Sequence, residues 1–312
     1  MSFAARTKKE LTQMRGKPCC DRAELTALLA HCGSVTEMDG SPVLDVATEN
    51  AAIARRIYTL QKEYSDSPLE VLVQRKMRLK KNNVYIVRMR RDPLEFLAGL
   101  DARAGDAVSD RIPPAALRRA CCKKAYLRGA FLAAGSVNDP DGASYHLELQ
   151  SRTRAHARAL QALMAEFDLR AKVIERKRGF VIYVKEGEKI VDFLGLIGAH
   201  QALLHFEDVR IVKGMRNQVN RLVNCETANM NKTISAAVRQ LENIRFLERE
   251  IGLDQLPAKL RTVAEQRLAH PEITLQELSE ALPEKVSKSG LNHRLRRLDE
   301  LAQKLRSNRG LP

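Results

Sequence analysis

Tryptophan is absent, and all aromatic residues together make up 4% of the chain, so any core has to be aliphatic. There is also no run of about eighteen apolar residues, the length a membrane-crossing helix needs. The opening residues, MSFAARTKKEL, lack the apolar stretch and cleavage site of a secretory signal. The expected address is the cytoplasm, with no membrane contact. Cysteine is scarce, with 6 residues (Cys19, Cys20, Cys32, Cys121, Cys122 and Cys225) and no CxxC. A reducing cytoplasm does not favour a disulfide framework. No histidine stands at ligand spacing from these thiols, so neither a metal nor another cofactor is expected. The paired cysteines read as small core residues, and the isolated His31 and His200 as structural ones.

Positive charge is in excess: the 312 residues carry a formal +15. A surplus of this size is the footprint of a polyanion partner. It is also evenly spread. Lys and Arg outnumber Asp and Glu by 17 to 12 in residues 1–100, 17 to 12 in 101–200 and 19 to 14 in 201–312. No single basic tail does the binding, and the whole body is expected to lie along the polyanion. The length exceeds one ordinary domain and calls for two or three units.

Self-similarity organises the first two hundred residues. Cys19-Cys20 recurs as Cys121-Cys122, and ELTALLAHCGSV (24–35) faces YLRGAFLAAGSV (126–137) at the same offset. Asp39-Gly40 faces Asp141-Gly142, Leu44-Asp45 faces Leu147-Glu148, and Ala54-Arg55 faces Ala157-Arg158. VYIVRM (84–89) faces VIYVKE (181–186), and Glu95-Phe96-Leu97 faces Asp192-Phe193-Leu194. Matches in this order mark a duplicated unit followed by a different C-terminal third. In the first copy, Leu25, Leu28 and Leu29 have helical spacing up to a stop at Gly33. Strands 34–38 and 42–48 flank the turn dipeptide Asp39-Gly40. An amphipathic helix follows at 49–64, then strands at 69–77 and 83–89 and a short helix at 92–100. The second copy repeats this as helix 121–133, strands 136–139 and 145–151, helix 152–167, strands 171–178 and 180–185, and helix 187–199. The predicted order in each copy is α-β-β-α-β-β-α.

The phrase YLRGAFLAAGS resembles the signature helix of the LAGLIDADG homing endonucleases, with Leu127, Gly129, Ala133 and Gly135 at matching positions. LTALLAHCGS (25–34) is a weaker copy. The resemblance implies two signature helices packed at a pseudo-two-fold axis, with Ala27, Ala30, Gly33, Gly129, Ala130 and Gly135 allowing close approach. It also implies two four-stranded sheets forming a saddle over the DNA major groove. Those nucleases hold divalent cations on a carboxylate just before the terminal glycine of each signature helix. Here Cys32 and Ala134 stand at those positions, and neither binds magnesium. Asp139 and Asp141 fall in a hairpin and read as turn chemistry. CCKKAYLRGAFLAAGSV (121–137) and NRLVNCETANMNKTISAA (220–237) are similar to hallmarks of the WhiA family of Gram-positive bacteria. That resemblance implies a DNA-binding regulator of sporulation in filamentous relatives, and of cell division and chromosome segregation elsewhere. It further implies an iron–sulfur partner of the WhiB type in some lineages.

The C-terminal third carries its own pattern. KLRTVAEQRLAH (259–270) stops before Pro271, and TLQELSEAL (274–282) opens with Thr274 and Glu277 in a capping box. A third helix starts at Ser287 and runs to about Arg306, completing a helix-turn-helix. Leu291, Leu295, Leu298 and Leu305 form its apolar stripe. Ser289, His293 and Arg296 fall opposite, with Asn292 beside them. These types read base edges, whereas Lys288, Arg294 and Arg297 are placed for phosphates. Gly290 in this helix suits close packing on the second.

The densest basic clusters, RKMRLKKNN (75–83) and ERKRG (175–179), sit at equivalent places in the two copies. Arg75, Lys76, Arg78, Lys80, Arg176, Lys177 and Arg178 are the expected saddle contacts; alternatively they are charged hairpin tips that deter aggregation. The stretch 205–250 is rich in asparagine (Asn217, Asn220, Asn224, Asn229 and Asn231). Arg216, Asn220, Arg221 and Lys232 would bind phosphates there; alternatively the asparagines cap helices and form turns.

The expected fold class is therefore α+β, a duplicated LAGLIDADG-like domain followed by an all-α helix-turn-helix domain. Its divisions are 1–110, 111–204, a linker at 205–252, and 253–312. The expected function is sequence-specific binding of double-stranded DNA by a monomeric, nucleoid-associated transcriptional regulator without nuclease activity. Two alternatives stay open at this point: an active homing-type nuclease using other carboxylates, and a protein-interaction scaffold that keeps only the C-terminal reader.

Overall fold

A computed structural model describes residues 1–75 and 83–308, divided into one unit of Met1–Lys213 and another of Gly214–Pro312. The first begins with a helix the sequence pattern does not announce, α1 (Phe3–Thr12). It buries one residue per turn, Phe3, Thr7 and Leu11, a stripe too thin and too polar to stand out as periodicity. Then come α2 (Pro18–Cys32), β1 (Gly33–Met38), β2 (Ser41–Thr48), α3 (Ala51–Tyr64), β3 (Leu69–Arg75), β4 (Asn83–Met89) and α4 (Pro93–Gly99). A small ribbon, β5 (Arg103–Ala104) and β6 (Ala107–Val108), leads to the second copy. That copy is α5 (Ala120–Ala134), β7 (Gly135–Val137), β8 (Leu147–Ser151), α6 (Arg154–Ala165), β9 (Lys172–Arg176), β10 (Gly179–Val184) and α7 (Gly187–Ile197). Both copies follow the expected α-β-β-α-β-β-α order.

The two sheets have the same topology. Their strand orders are β1-β2-β4-β3 and β7-β8-β10-β9, with every pair antiparallel. Asp39 and Gly40 adopt φ of 53° and 73°, the doubly left-handed turn that matches strand twist. Along the strands, Leu44, Val46, Val87 and Met89 share one buried face, as do Leu147, Leu149, Ile182 and Val184. Helix α3 packs on β2 and β4, and α6 on β8, β9 and β10.

Helices α2 and α5, one from each copy, pack along their length at the centre of the unit. Leu25, Leu28 and Leu29 of α2 and Leu127, Phe131 and Leu132 of α5 are buried in one core that also takes in Leu44, Val46, Leu147 and Leu149 of the two sheets. The contact is set by Gly129, where a Cβ would lie 2.5 Å from the Glu24 carbonyl oxygen and 2.8 Å from the Ala27 Cβ. Glycine ends both helices for a related reason. Gly33 and Gly135 have φ of −81° and −89°, so a left-handed cap is not what requires them. A Cβ at Gly135 would sit 2.4 Å from the Phe131 ring, and one at Gly33 2.6 Å from the Leu29 carbonyl oxygen. Beside this contact lies a buried ionic network. Glu24 accepts from Arg56 Nε at 2.8 Å and from Arg128 Nε at 2.7 Å, while Arg56 also donates to Asp21 at 2.8 Å. Glu24 is fully buried, so its two arginines supply the compensation that burial of a carboxylate requires.

Helix α8 (His200–Ile251) begins in the first unit, where the Glu10 carboxylate accepts from Gln201 N and Ala202 N at 2.8 and 3.1 Å. The asparagine-rich stretch is thus a single helix of 52 residues, and the turn-forming reading of those asparagines does not hold. Each Asn in a helix costs well under about 1 kcal/mol relative to Ala, and the leucines, alanines, methionines and arginines between them favour the helix.

In the second unit, α8 is followed by α9 (Ala258–Ala269), α10 (Leu275–Ala281) and α11 (Lys288–Asn308). Val263, Leu278, Leu291, Leu295, Leu298 and Ala302 form a small core with Ile244 and Leu247 of α8. The capping box is formed: Thr274 Oγ1 accepts from Glu277 N at 3.3 Å, and Glu277 accepts from Thr274 N at 2.7 Å. Ser287 caps α11, accepting from Gly290 N at 3.2 Å. What a Cβ at Gly290 would meet is Val286 and Ser287 of the preceding turn, not the second helix.

Replacing Gly129 by Ala should force α2 and α5 apart and cost about 1–3 kcal/mol. Gly99→Ala, at a site with nothing within 4 Å, should leave the thermal midpoint of the chain unchanged. Equal midpoints for the two variants would contradict the close-approach role of Gly129.

Candidate nucleic-acid interface

The end of the α2–α5 pair is where a homing nuclease keeps its acids. Here a hollow is lined by Lys8, His31, Cys32, Gln74, Arg75 and Ala133, with Glu49 also on its wall. Burial pushes the Cys32 thiol up to about 11 and the Lys8 ammonium down to about 8, the two groups facing each other. A protonated thiol beside a lysine is a poor seat for a divalent cation, which needs hard anionic oxygen. Asp139 and Asp141 form the anticipated turn, with Asp141 N donating to Asp139 Oδ1 at 3.1 Å.

Next to this hollow the copies are tied by two histidines. The His31 and His156 rings lie 4.8 Å apart, edge to face. His31 Nδ1 bonds the Ala27 carbonyl at 2.9 Å, and Arg152 donates to the His31 carbonyl at 2.7 Å. His156 bonds Tyr126 Oη and Ser151 Oγ, each at 3.1 Å. Burial, reinforced by His31, pushes His156 down from 6.5 to about 4.

The expected DNA-contacting residues fall into three places. Arg176 ends β9, with Lys177 and Arg178 in the turn after it, all exposed. A shallow hollow there is lined by Gln150, Glu175, Arg176, Lys177, Arg178 and Phe180. Arg176 shares its sheet face with Gln150 and Val181, away from the buried face. Arg75 ends β3 and is exposed, but it alternates with Val71 and Val73 on the face that Val87 and Met89 share. Arg75 and Arg176 therefore lie on different faces of their sheets. Lys76, Arg78 and Lys80 lie outside the described residues. On the face of the first sheet opposite its core, Asp45 accepts both Arg88 Nε and Nη2, at 2.7 and 2.8 Å.

The second place is α8. Arg216, Asn220, Arg221 and Lys232 are all exposed. At roughly 100° per residue, Asn217, Asn220, Arg221, Asn224, Asn231 and Lys232 occupy one arc of roughly a third of the helix. Val219, Leu222, Met230 and Ile234 are exposed on the other side. Sequence reading named these polar residues singly; their common face emerges only once the helix is known to be continuous.

The third place is α11. Leu291, Leu295 and Leu298 are buried and Leu305 packs at the edge of the core, leaving Lys288, Ser289, His293, Arg296 and Arg297 exposed and Asn292 and Arg294 half-buried. Among the described residues Arg296 makes no ion pair, whereas Arg297 pairs with Glu300 at 3.1 Å and Arg294 approaches Glu284 at 3.9 Å.

What sequence reading did not foresee lies at the other end of the α2–α5 pair. The four thiols of Cys19, Cys20, Cys121 and Cys122 meet there, all within 4.8 Å of one another. Among the described residues no helix is long and apolar enough to cross a membrane.

Three family models match the chain. These are the WhiA N-terminal LAGLIDADG-like domain over residues 18–101, the WhiA LAGLIDADG-like domain over 123–216 and the WhiA C-terminal HTH domain over 219–302. A protein of Halalkalibacterium halodurans described as a probable cell division protein WhiA is 57% identical over 315 residues, covering 100% of this chain and 98% of that one. The protein of the same description from Anoxybacillus flavithermus is 57% identical over 310 residues, covering 98% and 96%. Among solved structures, full-length DUF199/WhiA from Thermatoga maritima matches with a TM-score of 0.61 at 24% identity, covering 97% of this chain and 99% of that one.

Because the folded His156 stays neutral to about pH 4 while an unfolded one takes up a proton near 6.5, its share of stability is complete above 6.5. That share is lost as pH falls towards 4. His156→Gln should therefore show a smaller drop in thermal midpoint between pH 7.5 and pH 5 than the parent chain. Parallel pH profiles would remove His156 as a source of acid sensitivity.

Proposed function

The chain belongs to the WhiA family, and from that premise we propose that it is a sequence-specific, double-stranded-DNA-binding regulator of transcription. It serves cell division, including chromosome segregation and, in sporulating relatives, sporulation, and it has no nuclease activity. One observation carries the reading: an exposed face of Ser289, His293 and Arg296 on α11, with Asn292 beside it, presented by a helix whose opposite side is fully buried. A recognition helix needs this arrangement, because side chains reach base edges only if the scaffold holds the helix rigidly from behind. In this reading Arg296, unpaired among the described residues, contacts guanine. Lys288, Arg294 and Arg297 contact phosphates and set the docking angle.

Arg75, Lys76, Arg78, Lys80, Arg176, Lys177 and Arg178 add backbone contacts, as do Asn220, Arg221 and Lys232 on the polar face of α8 and Arg216 at its side. The work divides at 1–110, 111–204, 205–252 and 253–312. The protein acts as a monomer on the nucleoid in the cytoplasm, and lineages with a WhiB-type iron–sulfur protein use it as a partner. The absence of cleavage follows from Cys32 and Ala134 at the two acid positions and from Lys8 beside Cys32, a charge distribution that repels magnesium.

On a duplex selected from a random pool, Arg296→Ala should lose about 1–3 kcal/mol and relax base preference. Arg178→Ala should instead weaken selected and scrambled duplexes alike, as read by fluorescence anisotropy. Loss of preference in Arg178→Ala but not in Arg296→Ala would reverse the assignment.

With about six phosphates engaged, log K should fall against log salt with a slope of about −5, and supercoiled plasmid should stay intact with magnesium. A flat salt response would end the phosphate-gripping reading, and magnesium-dependent cutting would end the claim that the fold has lost its chemistry.

A further inference from the structure

Two adjacent cysteines at the start of a helix point about 100° apart around its axis, so packing alone would turn one of each pair away from the core. The observed arrangement is different. Cys19 and Cys20 lie in the first turn of α2, Cys121 and Cys122 in the first turn of α5, and the pseudo-two-fold relation of these helices brings the first turns together. The Sγ atoms of Cys19 and Cys20 are 4.0 Å apart, those of Cys121 and Cys122 are 3.9 Å apart, and all four fall within 4.8 Å of one another.

We propose that Cys19, Cys20, Cys121 and Cys122 form a tetrathiolate site for one zinc ion. A tetrahedral ion with Zn–S bonds of about 2.3 Å places its sulfurs about 3.8 Å apart, close to the spacing already present. A four-iron cluster would hold its ligand sulfurs farther apart, because the iron cage sits between them. Hard cations such as magnesium and calcium do not select thiolates. Binding is an acid–base exchange with no oxidant involved. Four S–H bonds are broken, four Zn–S bonds form, four protons pass to solvent, and the site gains a net charge of −2. Two helix N-termini point their positive ends at this charge, and Lys17 and Arg119 stand immediately before the two helices.

Cys20 and Cys122 are buried while Cys19 and Cys121 are half-buried, so the ion has a route in from one side. All four positions are taken by protein, the mark of a structural ion rather than a catalytic one. The ion would clamp the two copies at the opposite end of the α2–α5 pair from Cys32 and Ala134. Each copy contributes half of the ligand set, which explains why neither carries the CxxC spacing by which such sites are usually recognised.

Elemental analysis of the full chain, purified under reducing conditions, should find one zinc per chain. After chelation, cobalt(II) alone should produce the visible bands of a tetrahedral tetrathiolate, displaced by one equivalent of zinc, and zinc should raise the thermal midpoint. The double variant Cys19→Ser and Cys121→Ser, which spares the two buried thiols, should lose the cobalt bands, while Cys225→Ser keeps them. The wild-type titration decides the matter even if the double variant fails to fold. Wild-type chain with neither zinc nor cobalt–thiolate bands would overturn the proposal. So would bands that persist in the double variant, or mass spectrometry showing these cysteines joined as disulfides in freshly isolated reduced-buffer protein.

Discussion

The first unit depends on how closely α2 and α5 approach. With Gly129 against the Glu24 carbonyl, the helices touch backbone to backbone, and everything hung on them is placed by that contact. Each sheet starts where one of these helices ends, at Gly33 and at Gly135, so the two sheets inherit the pseudo-symmetry of the pair. Burial of Leu25, Leu28, Leu29, Leu127, Phe131 and Leu132 in the common core holds both helices in place. The Glu24–Arg56–Arg128 network fixes its register, since a slip would strand a buried carboxylate without its partners.

Along this pair, chemistry is distributed by position. One end carries Cys32, Ala134, Lys8 and the His31–His156 contact; the other carries four converging thiols. The first of these ends seats a thiol and an ammonium rather than a pair of carboxylates. Two carboxylates at the end of a tightly packed helix pair would need bound cations to stay ionised together. A neutral Cys32 and Ala134 close that end without a counter-ion.

The second unit solves a different problem with the same economy. In the role proposed for α11, a helix that reads DNA must be rigid yet leave most of its surface to the ligand. In α11 a single leucine stripe does the holding, while Arg297 and Arg294 are engaged by carboxylates and, among the described residues, Arg296 is not. Helix α8 carries the same logic over a longer distance, with amides and basic residues on one face and apolar residues on the other.

Much of this was legible in the linear chain, because the forces concerned are local or periodic. The repeat, the two strand pairs of each copy, the Asp39-Gly40 turn, the capping box at Thr274 and Glu277 and the leucine stripe of α11 each follow from neighbours within a few residues, or from alternation along one element. The replaced acids at Cys32 and Ala134 were visible for the same reason: they stand beside glycines that end the signature helices. What only the tertiary structure decided are relations between distant residues. It made one helix of the asparagine-rich stretch and so gathered Asn217, Asn220, Arg221 and Asn224 on one face. It placed Arg75 and Arg176 on differently facing registers although their clusters align. It also brought Cys19 and Cys20 to Cys121 and Cys122 across a hundred residues of chain. Packing at Gly129 creates that last juxtaposition, and no spacing rule within a single stretch of sequence encodes where two helices will cross.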